Sequence, residues 1–311
     1  MLTNLKIKTK SQKVALFAVT YSIVFAAVVS FQQAIASEAN TKVKVKTLKA
    51  IKKVQLNAEL NEVSGLASTR DLYWGINDSG GEAILYGFDQ NTYKLKKRIA
   101  INNAFNLDWE ELAEDDNYIY IADTGNNIAI RQSADIYIVA KNDLNAASNT
   151  ASVSSSAMQI VYADKQNYLP QRKHNFDSEA LTVVGNELWL FSKNRKDFQT
   201  KLYRVNKHKA EQTLSPEESF PVEGLITAAD YNAKSQQLLL LGYSKKSAFG
   251  HSFIWRIDVR AQNLDWQSAV RYTIKPYAQW ESIVWKGDKQ FVLGAENSGL
   301  TTQMVAEFKL P

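Results

Sequence analysis

The chain has 311 residues, 45% hydrophobic and 22% charged, with 37 basic against 32 acidic side chains, three histidines and no cysteine. The lack of cysteine excludes disulfides, thiolate metal sites, cysteine nucleophiles and a lipid-modified amino-terminal cysteine. Residues 1–36 hold four lysines and no acid, so the remainder carries 33 basic against 32 acidic residues, and no case for nucleic acid follows.

Lys6, Lys8, Lys10 and Lys13 precede an apolar run from Val14 to Phe31, then Ala34-Ile35-Ala36. A basic leader, an apolar core and a small-x-small pair predict an export signal over 1–36, cut after Ala36, with an uncleaved anchor as the alternative. Export would place the protein in the periplasm or outside the cell. No later apolar stretch approaches the ~18 residues of a membrane span. Residues 37–46 read as a tail and 47–311 as one domain.

Five phrases then recur: EVSGLAST (62–69), DWEELAED (108–115), DSEALTVV (177–184), PVEGLITA (221–228) and QWESIVWK (279–286). After a turn, each is followed by an apolar strand, such as ELWLFS or QQLLLLGY, and then by a third, such as TKLYRVN. The first four units add a fourth strand, for example YKLKKRIAI or WQSAVRYTI. Four antiparallel strands repeated radially predict an all-β fold, a five-bladed β-propeller. The fifth unit lacks a fourth strand, and TLKAIKKVQL (47–56) is expected to complete it and close the ring. A sixth blade is the alternative, because the second unit is long. Its Asn/Ala/Ser tract, 142–156, reads as a flexible loop.

The phrases align Ser64, Glu110, Glu179, Glu223 and Glu281 at the start of the innermost strands, where they would ring a central channel. Carboxylates ~5 Å apart repel by ~3 kcal/mol per pair at an effective dielectric of 20, so the ring needs protons, water or a cation. An all-oxygen ligand set favours Ca²⁺. The other reading is that the glutamates cap strand amides or pair with basic neighbours. Trp109 and Trp280 are expected to pack between blades. The turns after each second strand, NDSGG (77–81), DTGNN (123–127), SKNR (192–195), YSKK (243–246) and ENS (296–298), open at the same mouth. They offer Asp78 and Asp123 on one side and Lys193, Arg195 and Lys245 on the other, either a solvated rim or a grip for a small anionic ligand.

The pattern resembles the calcium-activated nucleotidases (apyrases), which implies a five-bladed propeller with Ca²⁺ in its tunnel held by first-strand Ser and Glu. Ser64 in VSGLA, Glu110 in DWEELA, Glu179 in DSEAL and Glu281 in WESIVW match such positions, whereas Glu223 stands where that family usually has serine. Where the family carries Asp-Asp-Arg-Thr-Gly, this chain has Asn77-Asp78-Ser79-Gly80-Gly81, without the arginine. The phrases SGLA, NDSGG, DWEELA and IADTGNN also resemble a group of exported bacterial propellers, a likeness that implies no activity.

Two functions follow as expectations. The first is a monomeric exported propeller with Ca²⁺ in its tunnel and an upper face that binds a small anion or an envelope protein. The alternative is a metal-dependent phosphohydrolase in which Asp78 or Asp123 positions water and Lys193, Arg195 and Lys245 steady phosphates. No G-x-S-x-G elbow occurs in the chain.

Overall fold

The computed structural model describes residues 46–244, 250–299 and 301–311. The expected signal, tail residues 37–45 and Lys245 lie outside them. Two short strands, Lys46–Lys49 (β1) and Lys52–Gln55 (β2), come first. Blade one is the meander Val63–Ser68 (β3), Leu72–Asn77 (β4), Ile84–Asp89 (β5) and Leu95–Asn102 (β6). Blade two holds Trp109–Glu114 (β7), Tyr118–Asp123 (β8) and Ala134–Ala140 (β9). A short helix, Lys141–Ala146 (α1), and a strand, Thr150–Ser154 (β10), then precede its outer strand Ser156–Tyr162 (β11). Blade three comprises Ser178–Val184 (β12), Glu187–Ser192 (β13) and Thr200–Asn206 (β14); after Glu211–Leu214 (β15) it ends with Glu218–Phe220 (β16). Blade four runs through Leu225–Asn232 (β17), Gln237–Ser244 (β18), His251–Arg260 (β19) and Asn263–Lys275 (β20). Trp280–Trp285 (β21), Gln290–Ala295 (β22) and Met304–Lys309 (β23) form blade five.

The described residues therefore make five sheets, and the sixth blade left open by the sequence is not formed. β2 pairs antiparallel with β23, so the amino-terminal segment does complete the last blade. The expected closing strand is only half of 47–56, because β1 instead runs parallel to β20 of blade four. The same device recurs. β10 lies parallel on the outer edge of β6, and β15 on that of β11. In each case, chain belonging to the following blade covers the exposed edge of the preceding one, which otherwise presents unpaired amides and carbonyls. The surplus residues of the second unit thus form α1 and β10 rather than the loop expected over 142–156.

The inner strands neighbour one another in the order β3, β7, β12, β17, β21 and back to β3. Each gap between blades is filled by its own apolar cluster, and this explains why second strands read as unbroken apolar runs. In β18, Leu238 and Leu240 pack toward Phe191 of blade three, while Leu239 and Leu241 pack toward Phe291 of blade five. A strand turns alternate side chains to opposite faces, and here both faces are buried. Trp109 fills the gap between blades one and two, and Trp280 that between four and five, as their position ahead of the ring residues suggested.

Candidate functional site: a carboxylate hub at the mouth of the ring

Every inner strand carries a β-bulge against its neighbour. The register slips between Val63 and Gly65, Trp109 and Glu111, Ser178 and Ala180, and Trp280 and Ser282. The extra residues are Ser64, Glu110, Glu179 and Glu281, four of the five expected ring positions. A bulge bends the strand and re-aims a side chain, here into the hub. In blade four the slip falls between Ile226 and Ala228, so the extra residue is Thr227. Ser64 Oγ donates to Trp109 O at 2.9 Å, and Thr227 Oγ1 makes the same contact to Trp280 O at 3.2 Å. Thr227 is thus the blade-four counterpart of Ser64. Glu223 does not join the ring: it precedes β17, is exposed, and has φ 56°. The phrase VEGL matches VSGL in letters, but the bulge that decides position lies four residues later.

A cavity of about 170 Å³ opens among Ser64, Glu110, Glu179 and Glu281, with Asp78, Lys193 and Glu296 contributed by turns after second strands. Carboxylate oxygens of Asp78, Asp108 and Glu110 lie within 4.8 Å of one another, and so do those of Glu110, Asp177 and Glu179. Glu110 belongs to both groups. A Cβ on Gly125 would overlap Glu110 Oε1 and the Asp108 carboxyl, so the glycine of DTGNN makes room for them.

Burial and mutual repulsion set the electrostatics. Burial first, then Asp78 and Asp177, push Asp108 up to about 7. Burial, then Glu281 and Asp78, push Glu296 up to about 8. Glu110 is driven well above the usual carboxylate range by burial and by Glu179. Lys193 is buried as well, yet Glu179 and Glu281 outweigh that burial and hold its amine well above the ordinary value. Its Nζ bonds Glu179 Oε2 and lies 5.5 Å from the centre of the Tyr243 ring. Arg195 pairs with Asp177 at 2.9 Å and reaches Glu179 at 3.5 Å.

Below the mouth, Glu111 closes the hub. It is wholly buried and accepts N–H groups of Leu66 (3.2 Å), Leu112 (2.9 Å) and Ala229 (3.3 Å), from blades one, two and four. The residues that follow the bulge in the other blades are Gly65, Ala180, Ala228 and Ser282, all small. One glutamate therefore bridges three blades in a layer where the other four place small residues.

The candidate residues thus divide. Ser64, Glu110, Glu179, Glu281 and Asp78 meet at the mouth. Asp123 does not line it: its carboxylate binds Arg131 Nη1 at 2.6 Å and accepts the Asp108 N–H at 3.1 Å, fixing Asp108 from behind. Lys193 and Arg195 reach the hub and are engaged there by Glu179 and Asp177, because buried charges require counter-ions. Asp108, Asp177 and Glu296 were missed. The first two had a signal, since Asp108-Trp109-Glu110 and Asp177-Ser178-Glu179 place acids two residues apart, on one face of an extended chain.

No protein-family profile matches the chain, and no curated protein sequence matches it. Solved structures do. It is similar to glutaminyl cyclase of Myxococcus xanthus, at 10% identity and a TM-score of 0.49, covering 86% of this chain and 98% of that one. PQQ-bound aldose sugar dehydrogenase of Streptomyces coelicolor matches at 10% identity and 0.43, over 85% and 98%. Hydrazine synthase of Kuenenia stuttgartiensis matches at 12% and 0.43, over 78% of this chain; the match spans 58% of that protein. At such identities no activity is carried across. The protein is a five-bladed β-propeller with an acidic hub.

Proposed function

We propose that this is an exported propeller whose hub binds a divalent cation, Ca²⁺ before others, and whose surrounding upper face recognises a ligand or partner. The observation that carries the reading is the pair of carboxylate groups, Asp78–Asp108–Glu110 and Glu110–Asp177–Glu179, each drawn within 4.8 Å and joined through the buried Glu110. Carboxylate oxygens are the ligands that hard cations prefer, and no nitrogen or sulfur competes in these two groups. Glu179 shares its charge with Lys193, which leaves the Asp78, Asp108 and Glu110 side as the more electronegative half. Export rests on residues 1–36 alone. The phosphohydrolase reading is weaker, because Lys193 and Arg195 are engaged by Glu179 and Asp177, although Asp78, one of its two candidate water-positioning acids, lines the mouth.

Thermal melting tests the cation. A ligand that binds only the folded state at one hundred times its Kd adds about 2.7 kcal/mol, which is worth several degrees for a domain of this size. Ca²⁺ should raise the Tm over that in EGTA, and Glu110→Gln should remove most of the difference. Identical melts of the wild type in Ca²⁺ and EGTA would refute cation binding at the hub.

A further inference from the structure

Beside the hub lies a second cavity of about 410 Å³, bounded by Asn127, Ile128, Arg172, Arg195, Phe198 and Leu225. Its size falls in the range of small-molecule sites, and its walls combine apolar side chains with guanidinium groups, the mixture such sites use to hold and orient a ligand. The two arginines differ. Arg195 is bound to Asp177, Glu179 and Asn127. Arg172 is exposed and, among the described residues, has no carboxylate partner within ion-pair distance. It is a planar cation at the lip of an apolar recess, suited to a carboxylate, sulfonate or phosphate.

Phe198 adds an independent observation. Its φ is 58°, in the left-handed region that a bulky residue adopts only when its surroundings hold it there. They do so through Phe198 N–H to Asn194 O at 3.1 Å and Gly224 N–H to Phe198 O at 3.2 Å. The result is an aromatic ring left 46% exposed at the cavity wall. It is not isolated. Of the nine large apolar side chains exposed among the described residues, all but Ile51 and Tyr118 lie in the connections between blades and after second strands, which open on this same face.

We propose that this cavity binds a small organic anion with an aromatic or branched apolar body, the body against Ile128, Phe198 and Leu225 and the acid group on Arg172. The inference deepens the upper-face half of the reading above and does not require the cation. The probe is 8-anilinonaphthalene-1-sulfonate, compared with the neutral N-phenyl-1-naphthylamine, titrated by fluorescence into the folded full chain. The sulfonate should saturate one site. Arg172→Gln should weaken it about tenfold or more while leaving the neutral probe within about twofold, and Phe198→Ala should weaken both. The pattern should persist in EGTA and in Glu110→Gln, so that failure of the cation reading leaves it standing. Sulfonate binding unchanged by Arg172→Gln, or both probes indifferent to Phe198→Ala, would overturn the proposal.

Discussion

Glu111 and Gly125 decide the hub by what each does to space. Glu111 satisfies three amides from three inner strands, and each buried amide left without a partner costs about 1–3 kcal/mol. Glu111→Ala should therefore destabilise the fold by about 3 kcal/mol or more, read as a lower urea midpoint. A loss under about 1 kcal/mol would mean that the three amides find other acceptors. The sequence revealed ring residues through their recurring phrase, and four of the five positions follow from it. Thr227 stayed hidden because a bulge is a property of strand pairing, not of local letters. Glu111 did too, since its partners lie in blades far apart in the chain.

At the level of elements, the blades were legible because each strand is short, apolar and punctuated by turns, and because the second strands bury both faces. The lent strands were not. β10 and β15 pair in parallel with edges in another blade, and nothing in Thr150–Ser154 or Glu211–Leu214 names a distant edge. The Asn/Ala/Ser tract looked like a loop because β10 is mostly exposed, with Val153 alone turned firmly inward. β2 has the larger task, since it supplies the only edge partner of β23 among the described residues. A chain beginning at Asn57 should lose β1 and β2 together, melt at least several degrees lower and self-associate through the uncovered edge. Size-exclusion chromatography and a melt check this; an unchanged monomer with an unchanged Tm would show that ring closure contributes little.

For the molecule as a whole, the hub concentrates acid that the chain elsewhere balances. Carboxyls raised by folding retain protons that the unfolded chain releases above about pH 4. Their contribution to stability is whole below that value and is lost as pH rises through about 7 for Asp108 and about 8 for Glu296. The cation-free protein should therefore become less stable from about pH 5 to about pH 8, with Glu110→Gln flattening the decline. A cation replaces those protons, so its affinity should rise across the same window. The most direct measurement is a calorimetric titration of Ca²⁺ into the full chain at pH 8 and at pH 5.5, with Glu110→Gln alongside. The account predicts one site per chain at pH 8, much weaker binding at pH 5.5, and little or none in the variant. No binding at pH 8, or binding that Glu110→Gln leaves intact, would contradict it.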